Sequence, residues 1–297
     1  MLEPNTLWTK VTERTAHALH CGALWPLPTD YEFLEQQGTH FLVRILANLV
    51  RKDEAKQKQG QQTTAGTQPN PFLPYEEDLF VTDVSDTHIC LLNKFNVIEH
   101  HLLIVTRTFA EQESALNMAD FEALWACMRE FESLAFYNAG PVAGASQRHK
   151  HLQMIPLPLA VHGPRIPVEP VLAAAAYGDA SSTAALPFLH RLSRLDLHPT
   201  QSSATAARIL LEHYQTMLHT MELNSISATA NPGAYNLLVT RQWMLLVPRI
   251  QECFQGISMN ALGFAGALLV RNRQQLQILK THGPLTALAS VALPMAG

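Results

Sequence analysis

Charged side chains are scarce in this sequence. Lys, Arg, Asp and Glu make up 15% of the 297 residues, where about a quarter is typical of globular proteins. The formal net charge is −4, so the chain lacks the basic face that binding to nucleic acid requires. Hydrophobic residues account for 47%, which is enough to bury a sizeable core and excludes a chain that is disordered as a whole.

Cysteines and long apolar runs are also few. Cys21, Cys90, Cys127 and Cys253 lie far apart without a CxxC pair, which excludes a zinc ribbon, a thioredoxin motif and a disulfide scaffold. No apolar run reaches the roughly 18 residues that a membrane span needs, and the first residues lack the apolar core of a signal peptide. The sequence therefore predicts a cytoplasmic protein with reduced thiols and with neither a membrane nor a nucleic-acid partner.

Helical and strand patterns alternate along the chain. Apolar residues spaced three to four apart predict the helices Leu7–Leu19, Met118–Tyr137, Ala204–Leu223, Gln274–Thr281 and Leu285–Leu293. Short apolar runs predict the strands Phe41–Val50, Leu79–Val81, His88–Leu92, His101–Thr106, His151–Leu157, Tyr235–Thr240 and Trp243–Val247. Hairpins interleaved with long helices predict an α+β fold with a mainly antiparallel sheet.

A polar tract from Lys52 to Asn70 interrupts this pattern. It is rich in Lys, Gln, Thr and Gly and lacks the apolar residues needed to fold by itself, which predicts a flexible surface loop. The part of the chain before the tract is too short to form a domain of its own. We therefore expect a single domain over residues 1–297, with a flexible insertion at about 52–70. Nothing in the sequence specifies an oligomeric state.

One short stretch combines polar side chains in an unusual way. His149, His151 and Gln153 alternate with other residues, so on a strand they form a polar row on one face. Such a row beside an apolar strand is costly unless it meets a ligand or solvent. The loop Gly144–Gln147 precedes the row, and a loop of small residues can turn its backbone N–H groups toward an anion. Ser146 adds a hydroxyl donor to that loop.

The polar row permits three interpretations. In the first, one imidazole attacks a phosphorus atom while neighbouring groups hold phosphate oxygens, because neutral histidine is abundant near pH 7 and nucleophilic. In the second, His149 and His151 are two metal ligands on one strand. An isolated pair is also consistent with surface histidines, but the preceding loop and Gln153 favour a ligand site. Arg148 and Lys150 alternate with the row, so we expect them to face away from it.

The pattern His-x-His-x-Gln resembles the histidine-triad superfamily. Glutamine in the third place is similar to two transferase branches, the galactose-1-phosphate uridylyltransferases and the diadenosine tetraphosphate phosphorylases, also called ATP adenylyltransferases. Five further segments resemble the phosphorylases in the expected order: Leu91–Phe95, His101–Thr106, Asn138, Gly144–Gln147 and Met259–Gly266. The resemblance implies a histidine-triad-like antiparallel sheet with flanking helices.

The resemblance also implies a role for each matching residue. His151 would be the nucleophile that carries AMP, Gln153 would bind the α-phosphate, and His149 would orient the site. The residues implied to bind substrate are Lys52, Asn93, Lys94, Asn138, Gly144, Ala145, Ser146, Gln147, Gln153, Asn260, Ala261, Leu262 and Arg271. Arg271 stands where the family usually has lysine, which keeps the charge but changes its geometry.

The implied reaction is reversible phosphorolysis of diadenosine tetraphosphate to ATP and ADP through a covalent AMP–histidine intermediate. Adenylyl sulfate with phosphate fits the same site, because only the leaving group changes. The expected partners are these nucleotides and phosphate. Mg²⁺ or a similar divalent cation is expected to arrive on the substrate polyphosphate, without a metal site of the protein.

Two alternatives remain open from the sequence, a sugar-phosphate uridylyltransferase and a non-catalytic sensor of dinucleoside polyphosphates. This sequence lacks the cysteine-rich metal site of the uridylyltransferases, and a sensor would not need the intact row. Outside the row, we expect His101 to be an edge or core histidine. Arg249 follows an apolar run, so it either reaches phosphate or ends a solvated strand.

Overall fold

The computed structural model describes residues 2–47, 70–160, 162–173, 182–223 and 232–295. The predicted insertion at about 52–70, except Asn70, and the expected substrate contact Lys52 lie outside these ranges. Within them, no helix combines the length and apolar character that a membrane span requires.

Helices and short strands alternate through the described chain. The helices are α1 (Leu7–His20), α2 (Met118–Met128), α3 (Glu169–Ala173), α4 (Ser203–Thr220), α5 (Ala261–Phe264), α6 (Arg273–His282) and α7 (Pro284–Val291). The first seven strands are β1 (Thr29–Gln36), β2 (Thr39–Leu46), β3 (Phe80–Asp83), β4 (His88–Leu92), β5 (Leu102–Thr106), β6 (Ser133–Asn138) and β7 (His151–Pro156). The later strands are β8 (Arg191–Arg194), β9 (Tyr235–Val239), β10 (Trp243–Pro248), β11 (Cys253–Phe254), β12 (Ile257–Ser258) and β13 (Ala267–Val270).

The centre of the fold is an eight-stranded sheet in the order β3-β4-β5-β7-β6-β9-β10-β8. Every neighbouring pair in it is antiparallel, which confirms the predicted α+β class. A three-stranded sheet, β1-β2-β13, lies apart from it, and β13 runs parallel to β2. The strand β7, which holds the polar row, is thus an inner strand of the large sheet.

The two faces of β7 meet different surroundings. Leu152 and Met154 are buried in the same core as residues of α2 and α4, on the face that these helices cover. His151 and Gln153 therefore point to the opposite face, because side chains alternate along a strand. On that face, Ile155 belongs to a second apolar cluster. This alternation confirms that the histidine and glutamine share one face.

The helix predicted over Met118–Tyr137 is wrong in its second half. The helix begins with a capping box between Asn117 and Asp120 and ends at Met128. Ser133–Asn138 is instead the strand β6, and all six of its residues are buried. A strand that is buried on both faces lacks polar alternation, so its apolar residues continued the helical spacing by coincidence.

Candidate active site

His151 is held in the tautomer that a nucleophile needs. Its Nδ1 lies 2.8 Å from the backbone oxygen of His149, and because a carbonyl only accepts, Nδ1 must donate the proton. Nε2 then keeps its lone pair. The residue is 4% exposed, and burial lowers the pKa of the His151 imidazole to about 4. The ring is therefore neutral at pH 7 with Nε2 free to attack.

His149 orients this arrangement and is itself fixed by neighbours. Its Nε2 lies 2.8 Å from the backbone oxygen of Thr106, so Nε2 donates and Nδ1 accepts from the Asn70 side-chain amide at 2.9 Å. Phe72 packs against both histidines of the row, with ring centroids 5.6 Å from His149 and 5.4 Å from His151. Burial lowers the pKa of the His149 imidazole, which keeps this second ring neutral as well.

Gln153 ends a chain of three side chains. Its Oε1 lies 3.0 Å from Nε2 of His101, whose Nδ1 lies 3.1 Å from the Asn93 amide nitrogen. Burial lowers the pKa of His101 to about 4, so its neutral ring donates to Gln153 and accepts from Asn93. His101 is thus a buried histidine, as expected, and it contacts the row as well. These contacts leave the amide nitrogen of Gln153 free to donate to a phosphate oxygen.

Gln112 is a site residue that the sequence analysis missed. Its Oε1 accepts from the backbone N–H of His151 at 2.8 Å, and its Nε2 donates to the backbone oxygens of His151 and Asn138. The side chain is 2% exposed and connects the end of β6 to the start of β7. No motif surrounds Gln112, so only the folded structure reveals this contact.

The loop before the row packs against the C-terminal part of the chain. Gly144 has φ +90°, and a Cβ there would lie 2.8 Å from the backbone oxygen of Met259, so this position requires glycine. Asn260 follows directly and caps α5 by accepting from the backbone N–H of Leu262 at 3.1 Å. The loop residues Ala145, Ser146 and Gln147 are half-buried or exposed beside the row.

Asn138 joins these parts of the site. It is 1% exposed, and its Oδ1 accepts from the backbone N–H of Ala261 at 2.9 Å and from the Asn236 amide at 2.8 Å. Asn138 and Ala261, two implied substrate contacts, are therefore brought together. Arg249 donates to backbone oxygens including that of Met259 at 2.9 Å and is 6% exposed. It is thus neither a phosphate contact nor a solvated strand end.

Of the two cations that alternate with the row, Lys150 faces away from it, as predicted, whereas Arg148 pairs with Glu111 and lies over the Phe109 ring, which contacts His149. Lys150 is buried and donates to Asp120 at 2.7 Å and to the backbone oxygen of Ala115 at 2.8 Å. His88 lies 3.1 Å from the other oxygen of Asp120. Proximity to Lys150 and His88 lowers the pKa of the Asp120 carboxyl despite its burial. This buried network lies on the helix-covered face of the sheet.

Two residues that the resemblance implies to bind substrate make contacts away from the row. Lys94 forms an ion pair with Glu76 at 2.5 Å. Arg271 is exposed just beyond β13, and its charge acts on the thiol of Cys253. For these two residues, a role in substrate binding stays a prediction.

A metal-type cluster occurs in the described part of the chain at one place only. It consists of His17, Cys21 and Asp78 on the surface, with possible ligand atoms within 4.8 Å of one another. None of its members belongs to the row. The row itself offers two neutral imidazoles and an amide, a set whose free positions suit phosphate oxygens and an attacking nitrogen.

Known proteins match this chain over nearly its whole length. Residues 1–174 match the family model described as Ap4A phosphorylase N-terminal domain, and residues 184–294 match ATP adenylyltransferase C-terminal domain, where Ap4A is diadenosine tetraphosphate. Diadenosine 5',5'''-P1,P4-tetraphosphate phosphorylase 2 of Saccharomyces cerevisiae is 27% identical, covering 94% of this chain and 91% of the yeast protein. Protein APA1 of the same yeast is 26% identical, covering 78% and 76%.

The fold agrees with this match. The crystal structure of yeast Ap4A phosphorylase Apa2 in complex with AMP is similar with a TM-score of 0.79 at 25% identity, covering 100% of both chains. The predicted resemblance and fold are thereby confirmed. Because one family model alone matches more than half of the residues, the chain belongs to the Ap4A phosphorylase (ATP adenylyltransferase) family.

Proposed function

We infer that the chain catalyses reversible phosphorolysis of Ap4A to ATP and ADP and carries AMP on His151. The observation that carries this inference is the unprotonated Nε2 of His151 beside the oriented amide of Gln153. The family supports it, because the yeast relative is named a diadenosine tetraphosphate phosphorylase and Apa2 was crystallised with AMP.

The first half-reaction forms the intermediate. The Nε2 lone pair of His151 attacks the α-phosphorus, a P–N bond forms, and the P–O bond to the next phosphate breaks. ATP leaves with the electron pair of that bond. The substituted ring becomes cationic, and the backbone oxygen of His149, which accepts from Nδ1, stabilises the charge.

The second half-reaction returns the free enzyme. An oxygen of inorganic phosphate attacks the same phosphorus, the P–N bond breaks, and ADP is released while Nε2 recovers its lone pair. Gln153 fits both steps, because its amide donates to the charged phosphoryl oxygens without transferring a proton. A polyphosphate leaves readily as an anion, so the reaction needs no acid at this position.

We further propose that Mg²⁺ enters with the polyphosphate and that adenylyl sulfate with phosphate is a second substrate pair. The cation neutralises oxygens of the leaving group, which lowers the cost of bringing them to the site. Enzyme freed of metal with EDTA should lose activity and recover it in step with the Mg²⁺–Ap4A complex. Full activity in excess EDTA would contradict a role for the cation. The formation of ADP from adenylyl sulfate only when phosphate is added would support the second pair.

The decisive experiment incubates the protein with Ap4A and Mg²⁺, with or without phosphate, and separates the nucleotides. We expect ATP and ADP to accumulate over many turnovers only when phosphate is present, and AMP bound to denatured protein with an equimolar amount of ATP when it is absent. His151→Asn should abolish both signals, and His40→Asn, which changes an exposed histidine on β2, is the matched control. ATP and AMP without phosphate would show water as the acceptor. No product at all would favour the uridylyltransferase or sensor alternatives.

A further inference from the structure

An exposed aromatic residue stands at one end of the polar row. Phe109 is 48% exposed, and its ring centroid lies 5.5 Å from that of His149. The guanidinium carbon of Arg148 lies 5.7 Å from the same ring. Neither Phe109 nor Arg148 has a part in the chemistry proposed for His151. Phe109 is thus an aromatic ring open to water next to a member of the row.

The backbone that carries the two side chains is held before any ligand arrives, and Arg148 is held by an ion pair as well. Glu111 accepts from Arg148 through two bonds, at 2.8 and 2.6 Å. The backbone around them is paired as well, since the N–H of Gln112 donates to the oxygen of Arg148 at 2.8 Å and the N–H of Lys150 donates to the oxygen of Ala110 at 2.8 Å. Binding of a ligand to this surface therefore costs little conformational entropy.

A flat aromatic ring beside a planar cation suits a nucleobase. Bases stack on phenylalanine through their π faces, and a guanidinium adds a cation–π contribution. The substrate in the proposed reaction has two adenines, one on the AMP retained by His151 and one on the departing ATP. The retained nucleotide stays through both half-reactions, whereas the departing one must reach solvent in each turnover. The open surface formed by Phe109 and Arg148 fits the departing nucleotide, which must reach solvent.

We propose that Phe109 and Arg148 form the stacking site for the adenine of the departing nucleotide. This inference rests on the function proposed above. In-line displacement is compatible with it, because the leaving oxygen lies opposite Nε2 of His151 and the polyphosphate therefore extends away from that ring. The remaining phosphates then link the reacting phosphorus to a base at Phe109.

The test compares two ligands that differ only beyond the polyphosphate. Ap4A carries the second adenosine, whereas adenosine 5'-tetraphosphate lacks it. Binding is measured by calorimetry in the His151→Asn protein, where no turnover occurs. Adding Phe109→Ala should weaken Ap4A on the order of tenfold and leave adenosine tetraphosphate unchanged. Phe109→Trp should retain the affinity for Ap4A, because it keeps an aromatic face.

Phe33→Ala is the matched control, since Phe33 is 37% exposed on β1 in the smaller sheet. It should change neither affinity. Equal weakening of both ligands by Phe109→Ala would assign the ring to the retained adenosine and overturn the proposal. Unchanged binding of Ap4A would also overturn it. Failure of the unmodified enzyme to convert Ap4A would instead count against the proposed function, so the two failures are distinguishable.

Discussion

The imidazole of His101 donates to the side-chain oxygen of Gln153 across 3.0 Å, and this contact decides which end of the amide meets the substrate. An amide can rotate to present either oxygen or nitrogen. With the oxygen engaged, the nitrogen is presented to the phosphoryl group. Oxygen in that place would repel the anion, so the orientation of Gln153 belongs to the catalytic geometry.

Replacing His101 by alanine should lower kcat roughly tenfold, since Gln153 then rotates freely and donates only part of the time. The KM for Ap4A should change little. Steady-state kinetics check this, and His100→Ala is the matched control, because His100 contacts Thr15 instead of the row. A kcat equal to that of the unmodified enzyme would show that Gln153 holds its orientation without His101.

Replacing Gln112 by leucine should lower the free energy of unfolding by about 2–4 kcal/mol, because the buried N–H and C=O of His151 lose their partner. Urea unfolding measures this. The activity of the folded fraction should also fall, since the backbone of the nucleophile is no longer held. Gln112→Glu keeps the acceptor for the N–H but turns a buried carboxylate toward the two backbone oxygens, so it should be no milder than the leucine change. Equal stability of the leucine variant would contradict the structural role.

Lys150→Met should destabilise the protein by about 3–5 kcal/mol, because Asp120 remains as a buried charge without its cation. The double variant Lys150→Met with Asp120→Asn removes both charges and should recover most of that loss. Thermal unfolding of the two single variants and the double variant gives the coupling between them. Additive effects would show that the two side chains do not depend on each other.

The pH profile of kcat/KM should not show the fall that protonation of an ordinary histidine produces. With the pKa of His151 lowered from 6.5 to about 4, the ring stays neutral and nucleophilic well below pH 6.5. The value of kcat/KM should therefore stay nearly constant from about pH 8 to pH 5.5. A fall by half near pH 6.5 would mean that the free enzyme holds this imidazole in a more polar setting.

Unlike kcat/KM, the stability of the folded protein should fall in acid. The folded pKa values of His101 and His151 are about 4, below the ordinary value of 6.5. Between these limits the unfolded chain binds protons that the folded chain does not, so stability is complete above pH 6.5 and is lost as pH falls toward 4. Melting temperatures measured across this range should fall, and less steeply for His151→Asn.

The strands around the site were predictable because their patterns are local. The runs that became β4, β5 and β10 are mostly apolar, and such runs identify buried strands without knowledge of their neighbours. The face shared by His151 and Gln153 followed from alternation alone. The strand β1 escaped prediction because its burial does not follow hydrophobicity: Tyr31 and Phe33 are exposed, whereas Glu32 is half-buried.

Contacts between distant segments were beyond the sequence. Gln112 and His151 are 39 residues apart and meet only when the loop after β5 folds against β7. His101 was visible as a residue, but its partner Gln153 lies 52 positions away. The end of α2 at Met128 was equally hidden, because β6 gains its identity from pairing with β7 and β9. In each case tertiary pairing, not local propensity, decides the outcome.

The contact of Gly144 with Met259 bears on how the enzyme is made. The polar row and its loop lie near the middle of the chain, yet the loop rests on the backbone of Met259, which is made much later, and β6 pairs with β9 from that later part. A chain released early by the ribosome carries every member of the row but no support behind the loop. We expect such a truncated product to be inactive, because the loop lacks the backbone of Met259 behind it and β6 lacks its partner β9.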